Sequence, residues 1–268
     1  MTNRLDRLFA EKQDHILNVY FTAGYPSLED TLPIVQALDA AGADLIEIGM
    51  PYSDPLADGP TIQESGMKAI QNGMSIPVLL EQIREIRKHS DIPLVLMGYF
   101  NPVMQYGEKR FFKDFAEAGV DGLILPDLPV YEYETLYQKA VEEAGLKMTF
   151  LITPQTEEAR IRAIDELSTG FVYMVSNAAV TGGQGEISAQ QTAYFERVAA
   201  MKLKRPRLIG FGISGHQSFE TACRYANGAI IGSAFIRALS EGQDIRSTVI
   251  SFVKNVREGA AAAAPSAK

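Results

Sequence analysis

Three features of the sequence predict an α/β protein of the (β/α)8 barrel class. Short β-branched runs alternate with longer stretches of 3.6-residue periodicity. Eight such strand candidates occur, and no Pro/Gly/Ser-rich linker or composition shift divides the 268 residues. Eight strand–helix units in this length fit a TIM barrel better than a doubly wound open sheet, which stays the alternative. One domain over residues 1–258 is expected, with 259–268 a frayed Ala-rich tail.

Taken in order, Leu5, Leu8 and Phe9 sit at helical spacing and predict a helix ahead of the barrel. The first strand candidate, Ile16–Thr22, leads to a helix over Leu28–Ala41. That helix ends in Ala41-Gly42, where glycine suits the left-handed cap that returns a chain to the sheet. The second strand, Asp44–Gly49, is followed by a proline-rich loop and an additional helix, Pro77–Lys88. Leu94–Tyr99 precedes a helix at Lys109–Ala118, and Gly122–Pro126 precedes one at Tyr133–Ala144. Both of these helices repeat the Ala-Gly ending, at Ala118-Gly119 and Ala144-Gly145. The remaining pairs are Met148–Thr153 with Glu157–Leu167, Phe171–Ser176 with Gln190–Met201, and Leu208–Gly212 with His216–Ala226. Ala229–Gly232 then opens toward a helix, and Ser247–Arg257 closes the chain. The strands read as nearly continuous apolar runs, as expected where both faces are buried.

Bulk properties exclude several functions. A formal charge of −8 with no Lys/Arg cluster gives no basic face for nucleic acid. A single cysteine, Cys223, precludes an intrachain disulfide. No apolar run reaches the 18 residues of a membrane span, so a cytoplasmic protein with no membrane contact is expected.

In a barrel the chemistry belongs at the C-terminal ends of the strands. Glu47 stands two residues before the second exit, in Glu47-Ile48-Gly49. It reads either as a structural carboxylate paired with a buried cation or as an acid–base group. No Lys or Arg stands at any strand's C-terminal end to pair it, and an unpaired buried carboxyl has its pKa raised toward neutrality. Asp58 follows in a loop stiffened by Pro51, Pro55 and Pro60, and reads equally as a turn or capping residue. Asp54 reads as a turn residue. At the seventh and eighth exits, Gly210-Phe211-Gly212-Ile213-Ser214-Gly215 and Ile231-Gly232-Ser233-Ala234 suit phosphate held by backbone amides, although such strings also make plain tight turns. The glycines of Thr181-Gly182-Gly183-Gln184-Gly185 suit a lid at the sixth exit or a simple long connection. No lysine sits at a strand end for a Schiff base, and His15, His89 and His216 are too scattered for a metal site. The substrate must then supply its own electron sink.

These motifs are recognisable together. The run from Glu47 to Gln63, EIGMPYSDPLADGPTIQ, resembles the signature of the tryptophan synthase α-subunit family. Phe21-Thr22-Ala23-Gly24-Tyr25-Pro26, Gly98-Tyr99-Phe100-Asn101-Pro102, Asp127-Leu128-Pro129, Val180-Thr181-Gly182, Gly210-Phe211-Gly212-Ile213-Ser214 and Gly232-Ser233 extend the resemblance over nearly the whole chain. It implies a (β/α)8 barrel that cleaves indole-3-glycerol phosphate to indole and glyceraldehyde 3-phosphate, with no cofactor in this subunit. By that resemblance Glu47 protonates the departing indole carbon and Asp58 stabilises positive charge through the ring N–H. Tyr20, Tyr99, Ile124 and Tyr173 are expected around the indole, and Gly182, Gly210, Phe211, Gly212, Gly232 and Ser233 around the phosphate. Thr181 corresponds to a lid residue that meets the catalytic Asp on closure. Asn177-Ala178-Ala179 departs from the polar stretch that many family members carry there.

The resemblance further implies an α2β2 complex whose β subunit carries pyridoxal phosphate and receives indole through a tunnel. Tyr52, Pro55, Leu56, Phe100, Pro102, Val103, Met104 and Pro129 are expected as an exposed apolar rim for that partner. A sugar-phosphate epimerase or isomerase is the rival enzyme, disfavoured by the missing metal or Lys/His base. A non-catalytic allosteric barrel is the other rival, disfavoured by the intact Glu47 and Asp58.

Overall fold

The computed structural model describes residues 3–176, 188–210 and 212–259. The chain runs α1 (Arg4–Glu11), β1 (Ile16–Thr22), α2 (Thr31–Ala41), β2 (Leu45–Gly49), α3 (Pro60–Gln71), α4 (Ile76–Ile86) and β3 (Leu94–Met97). It continues through α5 (Phe100–Tyr106), α6 (Glu108–Ala118), β4 (Gly122–Ile124), α7 (Val130–Glu132), α8 (Gln138–Glu143), β5 (Lys147–Ile152), α9 (Glu158–Leu167) and β6 (Val172–Val175). The last elements are α10 (Ala189–Ala200), β7 (Arg207–Gly210), α11 (His216–Cys223), β8 (Gly228–Ile231), α12 (Ser233–Glu241) and α13 (Ile245–Glu258).

The eight strands are parallel and close on themselves in sequence order, with β8 pairing back to β1. The barrel expectation therefore holds and the open sheet does not. Gly42, Gly119 and Gly145 take the left-handed conformation expected after their helices.

Two apolar masses result. The larger lies between the barrel's outer face and the helices; the smaller fills the barrel itself, with Ile16, Tyr20, Leu45, Val95, Ile124, Phe171, Tyr173, Leu208 and Ile230. Helix α1 seals the barrel's lower end. Leu5 is buried in the inner core, and Phe9 packs on Phe171 at 6.0 Å between ring centroids. The seal is fastened by polar bonds: Asn3 donates to the carbonyls of Asp121 and Gly145, and Arg4 pairs with Asp91 and Asp121.

Several element limits move. The helix expected at Leu28–Ala41 begins as a 3-10 turn at Leu28–Asp30 and becomes α-helical at Thr31. The one expected at Tyr133–Ala144 is split by a π-helical turn at Tyr133–Tyr137, which shifts the face Tyr133 presents and buries it. Helices α3 and α5 are additional to the expected set. Gly66 and few apolar residues blur the periodicity of α3, and Pro102 in a seven-residue segment disguises α5.

Candidate active site

The site is built from the upper ends of β1, β2 and β3 and the loop after β2. Along a strand alternate residues face the same side. The register sets Asn18 beside Leu45, Tyr20 beside Glu47 and Thr22 beside Gly49. Glu47 thus lies in the Tyr20 layer of the barrel interior, fully buried.

Glu47 has one hydrogen-bond partner. Asn18 Nδ2 donates to its Oε2 at 3.0 Å. Among the described residues neither Glu47 Oε1 nor Asn18 Oδ1 has a partner. Burial pushes the Glu47 carboxyl up to about 8; the Asn18 bond pulls it down and the charge of Asp58 pushes it further up. The expected raised pKa is present. The expectation of an unpaired carboxyl is corrected, because a neutral amide one layer deeper reaches it.

Asp58 is half-buried at the edge of a solvent-open cleft of about 420 Å³ whose walls include Tyr20, Thr22, Tyr52, Ile62 and Tyr99. It caps no helix: the residue before α3 is Gly59, with no side-chain cap bond. Burial raises its carboxyl to about 6, and a hydrogen bond from the Tyr99 hydroxyl restrains the rise. Tyr99 also accepts the Ala57 N–H at 2.8 Å, and Gln63 donates to the carbonyls of Asp58 and Pro55 at 2.8 and 3.3 Å. The loop is therefore braced by side chains as well as by its prolines. Burial and then the Asp58 charge push the Tyr99 phenol up to about 12, so it remains a donor at neutral pH.

Tyr20 and Tyr173 are buried in the barrel mouth, with their phenols held protonated chiefly by burial. Each ring lies across a glycine: a Cβ on Gly49 would overlap the Tyr20 hydroxyl, and one on Gly210 would overlap that of Tyr173. Ile124 faces the same interior from β4.

On the opposite side of the mouth, Gly210 ends β7 and Gly212 follows, exposed, with φ +77°. Gly232 precedes α12 and Ser233 is its first residue; no side chain caps that helix end. Thr181, Gly182, Phe211 and Asn177-Ala178-Ala179 lie outside the described residues.

The rim needs correcting in part. Phe100 and Val103 are buried in the outer core, because α5 turns them inward against it. Leu56 at 93% and Met104 at 51% exposure stand out into solvent, as does Pro129, while Tyr52, Pro55 and Pro102 are half-buried. No group of three or more His, Cys, Asp or Glu suited to a metal occurs among the described residues, and no described helix is long and apolar enough to cross a membrane.

Comparison with known proteins matches residues 7–264 to the family described as tryptophan synthase alpha chain. The chain belongs to the tryptophan synthase alpha chain family.

A tryptophan synthase alpha chain of Flavobacterium johnsoniae is 54% identical over 255 residues, 95% of this chain and 100% of the relative. Tryptophan synthase from M. tuberculosis superposes with a TM-score of 0.83 at 32% identity, covering 96% of this chain and 99% of that one. A tryptophan synthase complex from Pyrococcus furiosus gives a TM-score of 0.83 at 34% identity, covering 91% and 98%.

In this tryptophan synthase alpha chain two site-shaping residues escaped the sequence reading. Asn18 is one; an amide in the middle of the apolar run Ile16–Thr22, in phase with Tyr20, was the available signal. Asp127 is the other. From the β4 exit its carboxylate accepts the Phe100 N–H at 2.9 Å, fixing the chain next to Tyr99.

Proposed function

We propose that this chain cleaves indole-3-glycerol phosphate to indole and glyceraldehyde 3-phosphate, with Glu47 as acid–base and Asp58 as the electrostatic partner of the ring N–H. The observation that carries this reading is the division of the two carboxyls by environment. At pH 7 Glu47, near 8, holds its proton, whereas Asp58, near 6, is ionised. One can donate a proton to ring carbon C3 while the other faces the positive charge that arrives with it.

The electrons then balance without further help. Protonated C3 makes the ring an iminium acceptor, and the breaking C–C bond delivers its pair there to restore indole. The side-chain hydroxyl becomes the aldehyde and gives up a proton, which the Glu47 carboxylate takes back. Tyr20, Tyr99, Ile124 and Tyr173 would enclose the ring. Gly210, Gly212, Gly232 and Ser233, with Gly182 and Phe211, would hold the phosphate and Thr181 would close over it. No cofactor is required in this subunit.

The relatives that superpose include a named tryptophan synthase complex. By extension this chain would deliver indole to a β subunit that carries pyridoxal phosphate, in an α2β2 assembly. Leu56, Met104 and Pro129 suit that contact, being exposed at the same end as the cleft. A cytoplasmic setting fits such a biosynthetic role.

The test is indole release by the purified chain, with and without a β subunit. Glu47→Gln is expected to abolish release while leaving the fold intact. Asp58→Ala is expected to lose at least about 10²-fold, a usual cost for removing one placed charge stabiliser. Near-normal turnover by Glu47→Gln would overturn the assignment, and a loss under about threefold would return Asp58 to the role of a turn residue.

A further inference from the structure

We propose that Asn18 is a positioning residue for the reaction: its carboxamide holds the Glu47 carboxyl in register and sets how readily that group gives up its proton. The inference rests on the assignment of Glu47 made above and deepens it.

The geometry is specific. Asn18 and Glu47 are both fully buried on adjacent strands, and the 3.0 Å bond from Nδ2 to Oε2 runs diagonally between two layers of the barrel interior. Every neighbour in that interior that could compete is accounted for. From β1 there is Tyr20; from β6, Tyr173; from the loop after β2, Asp58. From β3, β4, β7 and β8 come Val95, Ile124, Leu208 and Ile230, which have no polar side-chain atoms. Asn18 is thus the neutral hydrogen-bond donor nearest the base of the carboxyl, while the surrounding ionisable groups are acids.

The two orphaned oxygens point to the same conclusion. Buried polar atoms rarely lack partners. Glu47 Oε1 and Asn18 Oδ1 both do, and both are acceptors when Glu47 is ionised. A carboxylic acid and a carboxamide present matching edges, one donor and one acceptor each. Once Oε1 carries a proton, one reciprocal bond to Oδ1 satisfies both atoms. The pair therefore stores the proton that the reaction spends, in one orientation. The N–H bond to Oε2 meanwhile keeps the carboxylate accessible enough to take the proton back.

Asn18→Leu keeps the size and removes both edges. The Nδ2 bond favours the charged form, so its loss moves the Glu47 titration upward, by about one pH unit. Two readouts follow. A 13C-carboxyl NMR titration of the ligand-free chain, with the Glu47 signal assigned by its absence in Glu47→Gln, is expected to move alkaline. In turnover of indole-3-glycerol phosphate, kcat is expected to fall about tenfold or more with KM within about threefold, because ring and phosphate contacts are untouched. Asn18→Asp serves as the second variant. It replaces the amide by a carboxyl that must share a proton with Glu47, and the pair is expected to titrate in two separated steps. An Asn18→Leu protein with an unmoved Glu47 titration and near-normal kcat would overturn the proposal. If Asn18→Leu does not fold, a single unsplit titration in Asn18→Asp does the same. Full activity in Glu47→Gln would instead overturn the underlying assignment.

Discussion

Glu47 is destabilising where it stands, and the size of that effect depends on pH. Its pKa rises from about 4.5 in an unfolded chain to about 8 in the fold. Between those values the folded state binds more protons than the unfolded one, so stability falls as pH rises through the window and the full cost applies above it. The cost is on the order of a few kcal/mol for a shift this large in a fully buried group. Glu47→Gln is therefore expected to gain stability over the parent as pH goes from 5 to 8.5, measured by urea unfolding at each pH; parallel pH dependences would refute this. The same shift governs activity. Acting as an acid, Glu47 loses rate as pH rises through about 8, and Asp58, needed ionised, loses it as pH falls through about 6. The substrate phosphate also titrates near 6, so the acidic limb needs its own probe. Tyr99→Phe removes the bond that restrains Asp58 and is expected to move the acidic limb of kcat/KM toward neutrality by about half a unit to one unit; a phosphate-only limb would stay put. The identities of Glu47 and Asp58 were legible in the sequence because carboxylates beside strand exits are conspicuous. Asn18 was not, since its meaning depends on which β2 residue lies across from it, and register is a property of the closed barrel.

At the scale of elements, strands β1 and β2 and the loop after β2 act as one unit. Gly49 leaves room for the Tyr20 ring, and Tyr99 at the β3 exit ties the loop to the next strand. Gly49→Ala is expected to force Tyr20 aside, costing about 1–3 kcal/mol of stability, as overpacking does, and raising KM. A crystal structure with Tyr20 unmoved and unchanged kinetics would contradict this. The strand–helix alternation was readable because buried strands and amphipathic helices carry different periods. Helices α3 and α5 and the π turn in Tyr133–Tyr137 were not, because short segments with Pro, Gly or an extra residue per turn carry no clean period. The outer position of Phe100 and Val103 failed for the same reason: without α5, their inward face could not be known.

The whole molecule is fastened at both ends of its chain. Helix α13 sends Arg257 to the carbonyls of His15 and Gly42 and to the Asp44 carboxylate, which also accepts from Lys12 and the Leu17 N–H. That cluster joins the last helix to the starts of β1 and β2. At the other extreme Leu5 reaches into the barrel from α1. Leu5→Ala is expected to cost about 2–5 kcal/mol, since it hollows a fully buried position, without altering KM; a loss below about 1 kcal/mol would show that α1 rests on the barrel without plugging it.

That plug has a consequence for traffic. With Leu5, Phe9 and Phe171 stopping the lower end and Leu45, Val95, Leu208 and Ile230 filling the shaft, the interior is a cul-de-sac. Whatever enters leaves by the same door. The piece lodged deepest waits until the way above it clears, and a molecule that corks the mouth halts arrivals and departures alike.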